Sequence, residues 1–238
     1  MKIALIGYGK MGKAIEAAGL EAGHSFPLII DLNNQQALNA EQLQKVDVAI
    51  EFTGPHSAVE NIKTILAAGI PVVSGSTGWL EHWQEVSDVC NQLNGCLVYS
   101  SNYSIGVNLF FAANAWLAAL MKNYPDYHPS IEEIHHTEKK DAPSGTAITL
   151  AEDLISIRDD LKGWMNIPNP AADQLPIISR RIDPTPGTHR VTYHSAIDDI
   201  EIIHTAHNRT GFARGALLAA GFTQGRKGIF SMKEVLGF

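Results

Sequence analysis

The opening stretch, MKIALIGYGKMGKAIEAAGLEAG, restricts the fold more than any other part of the chain. Ile3, Leu5 and Ile6 make a short apolar run that suits a buried strand. Gly7, Gly9 and Gly12 follow as G-x-G-x-x-G. Met11, Ile15 and Ala18 then recur at helical spacing, and Gly23 marks the helix end. Strand, glycine turn and helix in this order predict a dinucleotide-binding βαβ unit. The first glycine allows the tight turn, the second lets backbone approach a pyrophosphate, and the third lets the helix sit close to the strand. Unpaired N–H groups at the helix start then face the phosphates.

The pattern continues. A second strand, Phe26 to Ile30, ends at Asp31, which stands 19 positions after Gly12. That is near the spacing of a ribose-binding carboxylate. Leu32, Asn33 and Asn34 follow, with no Arg or Lys. A carboxylate accepts hydrogen bonds from a free 2′-hydroxyl and repels a 2′-phosphate, so NADH is expected over NADPH. Val46 to Phe52 reads as a third strand, with Ser57 as the cap of a helix reaching about Ala68. Ile70 to Ser74 is a fourth strand, Trp79 to Leu93 a helix, and Cys96 to Ser100 a fifth strand. This alternation predicts a parallel sheet with helices on both faces. Ligands of such sheets bind beyond the strand C-termini. The loops Thr53-Gly54-Pro55, Gly75-Ser76-Thr77-Gly78 and Ser100-Ser101-Asn102-Tyr103 should therefore line the nicotinamide side.

After Tyr103 the composition changes. Gly106 to Met121 is a strongly apolar helix, which implies burial. Ser130 to Thr137 reads as a strand and Ser144 to Arg158 as a helix, while residues 162–176 are Pro-rich and irregular. Ile177 to Ile182, His189 to Ala196 and Ile200 to His207 read as strands, and Arg214 to Phe222 as a helix that could return to the first domain. The expected fold class is α/β. An N-terminal Rossmann-like parallel sheet (1–103 with 209–238) accompanies a second α+β domain (104–208) with a mostly antiparallel or mixed sheet, which is expected to mediate self-association.

Net charge narrows the partners. At −7, with an isoelectric point near 5.8, no large basic patch can dominate the surface. Nucleic acid and anionic membranes are thus poor partners. No run of about 18 apolar residues is present, so nothing is expected to span a membrane. The initial apolar run, Ile3 to Ile6, is too short for a secretory signal. Cys90 and Cys96 fit neither a redox pair nor a zinc pair, and point to a reduced, cytoplasmic chain.

The densest chemistry lies at 132–147, EEIHHTEKKDAPSGTA. Neighbours on a strand point to opposite faces, so His135 and His136 cannot share one metal ion in regular geometry. No other ligand stands at a zinc-like spacing, and no metal is expected. Proton chemistry fits better: histidine is the side chain that exchanges protons near neutral pH, which suits His135, and Lys139, four residues on, can donate a proton or steady an anion. Asp141 to Thr146 reads as a helix start with Pro143 in its opening turn. Free N–H groups at Gly145 and Thr146, with the hydroxyls of Ser144 and Thr146, would hold an anion. A substrate with two carboxylates would use both the lysine and the helix start; a solvated charged turn would carry the same letters.

GYGKMG at 7–12, EFTGP at 51–55, SGSTGW at 74–79, SSNYSIGVNL at 100–109, EIHHTEKKDAPSGTA at 133–147 and HTAHNRTGFARGA at 204–216 together resemble dihydrodipicolinate reductases over essentially the whole chain. HHxxKxDAPSGT is specific to that family; the glycine loop is not. The resemblance implies a cytoplasmic, homotetrameric, two-domain enzyme. It would reduce 4-hydroxy-tetrahydrodipicolinate with NADH or NADPH in the diaminopimelate route to lysine. It assigns His135 as proton donor and acceptor, Lys139 as proton donor, and His136, Ser144, Gly145 and Thr146 to the substrate. It assigns Gly7, Tyr8, Gly9, Lys10, Met11, Gly12, Asp31, Gly75, Ser76, Thr77, Ser100, Ser101, Asn102 and Tyr103 to the cofactor, with Arg209 at a hinge that reaches the cofactor. Gly54 departs from the family, which often has a basic residue there; losing that phosphate contact again fits NADH. Another two-domain nicotinamide-dependent dehydrogenase would explain residues 1–103 but not the His–Lys element. A non-catalytic NADH-binding redox sensor would need neither His135 nor Lys139.

Overall fold

In the computed structural model, which describes residues 1–208 and 210–238, the first apolar run folds as strand β1 (Lys2–Ile6), buried from Ile3 onward. Two compact units follow from the chain's contacts, Met1–Ile105 with Arg209–Phe238, and Gly106–Asn208.

In the first unit β1 joins β2 (Ser25–Ile30), β3 (Val48–Glu51), β4 (Val72–Ser74), β5 (Cys96–Tyr99) and β11 (Gly228–Phe230), numbered along the whole chain. The sheet is parallel throughout, in the order β11-β5-β4-β3-β1-β2. Alternate side chains of each strand enter two cores, which is why the strands read as continuous apolar runs. Ala4, Ile6, Ala49 and Val72 meet Ile62 and Ile65 of α3 (Pro55–Ala67) and Val86 of α4 (Trp83–Gln92). Ile3, Leu5, Val48 and Val73 meet Ile15 of α1 (Lys10–Glu21) and the small face Ala213, Ala216 and Ala220 of α7 (Thr210–Phe222). That small face permits close approach: a Cβ at Gly215 would lie 1.7 Å from the Tyr103 carbonyl oxygen.

Several expected boundaries shift. Helix α3 starts at Pro55, with Gly54 as N-cap, so Ser57 lies in its first turn and does not cap it. Proline lacks the N–H that this position leaves unpaired anyway. The Ser57 hydroxyl instead donates to Thr53 Oγ1 at 3.0 Å. The helix expected from Trp79 begins later, because Leu80–His82 is a 3₁₀ turn and α4 starts at Trp83. Trp79 is buried and its indole N–H donates to the Ser76 carbonyl at 2.8 Å. Strand β11 and the short helices α2 (Ala40–Leu43) and α8 (Met232–Leu236) were not expected; each is too short to carry a period.

The second unit contains a mixed sheet in the order β10 (Asp199–Ala206), β9 (Gly187–His194), β6 (His128–His135), β8 (Gln174–Arg181), β7 (Gly163–Met165). Pairing is antiparallel from β10 to β6 and parallel from β6 to β7. Strand β7 corrects the expectation that 162–176 is wholly irregular; Trp164 pairs with Leu175. Helices α5 (Ile105–Met121) and α6 (Gly145–Ile157) supply Phe110, Leu117, Leu150 and Leu154 to a core with Ile131, Ile177, Val191 and Tyr193 of the sheet. Among the described residues, no helix is long and apolar enough to cross a membrane.

Candidate active site

In the first unit the strand order reverses at β1, and a cleft of about 400 Å³ opens beyond the C-terminal ends of β1, β2 and β3. Gly7, Tyr8, Gly9, Asp31, Leu32, Thr53 and His56 are among its walls. The glycines have separate reasons to be glycine. Gly7 takes φ +97°, and a Cβ there would strike the Phe52 carbonyl oxygen at 2.2 Å. A Cβ on Gly12 would lie 2.3 Å from the Gly7 oxygen, so this position holds helix against turn. Nothing lies within 4 Å of a Cβ on Gly9, which leaves space over the N-cap of α1. The helical ladder starts at Lys13 N–H, donated to Gly9 O at 3.1 Å, so the amides of Lys10, Met11 and Gly12 precede it. Tyr8 is turned toward α1, with its hydroxyl on Glu16 and the Lys13 ammonium 5.7 Å over its ring.

Asp31 lies at the rim. Its Oδ1 accepts the Leu32 N–H at 2.7 Å, while Asn34 accepts the Asp31 N–H at 2.7 Å and donates to Ile29 O at 2.9 Å. Among the described residues, no Lys or Arg lines the cleft.

The loops beyond β3 and β4 are held by one residue that the sequence reading passed over. Glu51 is 0% exposed at the end of β3. Its carboxylate accepts Ser74 Oγ–H at 2.7 Å, Ser76 Oγ–H at 2.7 Å and Thr53 N–H at 2.9 Å, and also meets the Thr53 hydroxyl. Ser76 is thereby buried, whereas Thr77 is exposed and Gly75 half-buried against the Phe52 ring. Replacing Glu51 with Gln puts an amide NH₂ where donors converge. It should lower stability by about 1–3 kcal/mol and weaken nucleotide binding, read by urea midpoint and by fluorescence titration; unchanged values in both would remove Glu51 as the organiser of these loops.

Ser100 accepts the Asn102 N–H at 3.2 Å and donates to the Asn102 carbonyl at 2.8 Å, closing a tight turn in which Ser101 is exposed. Tyr103 does not face outward: it is 2% exposed, and its hydroxyl donates to the Ser74 and Val98 carbonyls at 2.8 and 3.0 Å. Its side chain braces the sheet, so a cofactor could meet only its backbone. Arg209 lies outside the described residues.

In the second unit, strand alternation puts Ile131, Glu133 and His135 on the helix-covered face of β6. Register adds the neighbours: Glu133 pairs with His189 of β9 and Ser179 of β8, and His135 pairs with Arg181 of β8. The face thus changes from apolar to ionisable along the strand. Glu133 is 0% exposed. It accepts the Ser144 N–H at 3.1 Å, and its Oε1 lies 3.3 Å from Arg181 Nη2. Its Oε2 lies 3.3 Å from His135 Nδ1 and 3.8 Å from His189 Nε2. Burial alone would push the Glu133 carboxyl up; the neighbouring His135, Ser144 and Ser179 outweigh it and hold the group well below the usual carboxylate range. Burial, helped by the charge of His135, lowers His189 to about 4.

Lys139 lies in the loop after β6, with Nζ 2.8 Å from both Asp141 oxygens, and this pairing holds the Asp141 carboxyl low. Arg181 pins the same loop through Lys139 O at 3.3 Å and Asp141 O at 2.5 Å. Ser144 departs from the expected outward donor. It is 3% exposed, its Oγ accepts the Ala147 N–H at 3.3 Å as the cap of α6, and it contacts His189 Nε2 at 3.1 Å. Gly145 is exposed and Thr146 half-buried; their amides precede the first helical bond, Ile148 N–H to Ser144 O at 3.0 Å. His136 is half-buried just past the strand end. Chain spacing offered no ligand set, yet folding brings donor atoms of Glu133, His135 and His189 within 4.8 Å of one another. Because Ser144 and Arg181 already engage Glu133, the cluster suits proton handling. The E-x-H spacing could have revealed Glu133; His189 and Arg181 come from register alone.

A parallel sheet in this order is built to take a nucleotide, and the imidazole and ammonium groups of the second unit are suited to passing protons. Fold and site together define a two-domain, nicotinamide-dependent oxidoreductase. Residues 1–103 match the family described as dihydrodipicolinate reductase, N-terminus, and residues 106–236 match its C-terminus. The 4-hydroxy-tetrahydrodipicolinate reductase of Christiangramia forsetii is 46% identical over 238 residues, covering 99% of this chain and 98% of that one. That of Methanoregula boonei is 36% identical over 203 residues, covering 82% and 76%. The dipicolinate-bound dihydrodipicolinate reductase from Paenisporosarcina sp. TG-14 shares the fold, with a TM-score of 0.79 at 23% identity over 98% of each chain. This chain belongs to the dihydrodipicolinate reductase family.

Proposed function

We propose that the chain reduces 4-hydroxy-tetrahydrodipicolinate to tetrahydrodipicolinate, in the diaminopimelate route to lysine. The observation that carries this reading is the placement of His135 at the end of β6, Lys139 in the loop after it and the amides of Gly145 and Thr146 at the start of α6, in a chain 46% identical to a reductase of that name. One substrate carboxylate sits on Lys139 and these amides, with His136 beside it. A reduced nicotinamide, when bound, would supply the hydride that the substrate ring takes up at the carbon opposite its nitrogen, with one water lost from the substrate. His135 or Lys139 supplies the proton that completes the reduction. Gly7 to Gly12, Asp31, Gly75 to Thr77, Ser100 to Tyr103 and Arg209 are assigned to the cofactor. The test is a coupled assay in which aspartate semialdehyde and pyruvate pass through the preceding synthase and loss of reduced nicotinamide absorbance is followed. Consumption at the enzyme-free rate would reject the reading.

NADH is the preferred donor. Asp31 at the cleft rim, with no Lys or Arg among the described lining residues, supports this, since a 2′-phosphate there would face a carboxylate. The expected ratio of kcat/KM is at least about tenfold in favour of NADH, or roughly 1.4 kcal/mol. An NADPH preference in steady-state kinetics would overturn it. The working assembly is read as a homotetramer in the cytoplasm, joined through the second sheet, where Ile203 of β10 is 50% exposed. A monomer by light scattering would reject that assembly.

A further inference from the structure

We infer that Glu133 is a positioning residue that fixes the tautomer and orientation of His135, and that Gly187 keeps the other ring nitrogen of His135 clear. This rests on the proton-handling role proposed for His135.

The geometry is two-sided. His135 Nδ1 lies 3.3 Å from Glu133 Oε2, close but off the line of an ideal hydrogen bond, and it has no other partner among the described residues. An anionic acceptor at that position favours a proton on Nδ1. Nε2 is then the atom left to exchange protons. Gly187 begins β9 on the other side of the ring. A Cβ there would lie 3.1 Å from His135 Nε2 and 3.2 Å from Cδ2, so any side chain would press on the working edge. No positive φ requires glycine at this position; the space in front of the ring does.

The groups around His135 support the same assignment. On β9, His189 packs edge-on, with ring centroids 5.1 Å apart, but its Nε2 is committed to Ser144 Oγ at 3.1 Å. On β8, Arg181 reaches Glu133 Oε1 at 3.3 Å, on the oxygen away from His135. The Ser144 amide from the α6 cap fixes Oε2 at 3.1 Å. Lys139, in the next loop, is held by Asp141. Glu133 therefore has its place set by two elements besides its own strand, and its Oε2 faces the His135 ring at 3.3 Å, nearer than His189 Nε2 at 3.8 Å. A carboxylate that served the fold alone would not need His135 as a neighbour.

The experiment combines kinetics with long-range ¹H–¹⁵N spectra of the histidine rings in the full chain. Wild type should show His135 as the Nδ1–H tautomer. Glu133→Gln should redistribute the proton toward Nε2 and lower kcat by about 10–100-fold, a fraction of the general acid–base contribution, with KM within about twofold. Glu133→Asp, which restores the charge, should recover the tautomer and part of kcat. An unchanged tautomer with wild-type kcat in Glu133→Gln overturns the inference. If that variant does not fold, Gly187→Ala decides: kcat should fall while NADH affinity stays, and an unaltered kcat overturns it. His135→Gln separates the two levels. Near-wild-type turnover there would sink the proton role itself, whereas its loss beside an unaffected Glu133→Gln would sink only the positioning role.

Discussion

Replacing Lys139 with alanine is expected to lower kcat/KM by about 10²–10³, equivalent to roughly 2.7–4 kcal/mol of transition-state stabilisation. The size follows from what the ammonium faces. In the resting chain its partner is Asp141, at 2.8 Å from both oxygens, and its side chain is only 22% exposed. In the role proposed for it, Nζ would pass from Asp141 to a substrate carboxylate, and the loop is already fixed by Arg181 at Lys139 O and Asp141 O. A cation whose backbone is held in place needs little reorganisation when charge develops on the ring, the condition under which electrostatic stabilisation is largest. The same substitution should leave thermal stability within about 1 kcal/mol, since a partly exposed ion pair contributes little to folding. Activity and stability therefore separate: a large loss of turnover with an unchanged melting curve supports the role, and near-wild-type turnover removes the lysine from the mechanism. Arginine should not restore full activity, because its planar fork places charge differently from an ammonium.

What the sequence disclosed depended on range. The β1–glycine–α1 element was legible because strand period, turn chemistry and helix period agree over some twenty residues. His135 and Lys139 were legible as residue types, and Gly145 and Thr146 as a helix start. Glu51 was hidden because a charged residue closing an apolar run looks like a strand end, whereas it is the acceptor that gathers Thr53, Ser74 and Ser76. Tyr103 reads as a loop residue beside small polar neighbours, yet its ring packs near Phe52 with centroids 5.7 Å apart. Ser144 reads as an outward donor, but capping turned its hydroxyl inward. His189 and Arg181 became neighbours of Glu133 and His135 only through the register of β6 with β9 and β8. Register across strands more than forty residues apart in sequence is set by tertiary packing, which no local pattern encodes.

The buried cluster also makes acid sensitivity predictable. Stability should fall as pH is lowered from about 6.5 toward 4, because His189 keeps a proton off until about 4 when folded and has an ordinary value of 6.5. Between those limits the unfolded chain binds the proton and the folded chain does not, so protonation favours unfolding and stability rises with pH. The contribution is complete above 6.5 and gone near 4, and the gap corresponds to about 3 kcal/mol. Burial at 5% exposure is its main cause, so solvent screening removes little of it. Burial also lowers His204 and, more weakly placed near the N-terminus, His24, which act in the same direction. Glu133, held low, adds its own loss only below its ordinary value of 4.5. Urea midpoints at pH 7 and 4.5 measure the slope, which in melting temperature is about 6–12 °C for a chain of this size. His189→Asn, which keeps a polar group for Ser144 but cannot titrate, should flatten most of that slope even if it lowers stability at pH 7. A wild-type slope retained in this variant would assign the acid sensitivity to another group, and His189 would then have to be protonated within the folded cluster, placing a second cation beside Glu133.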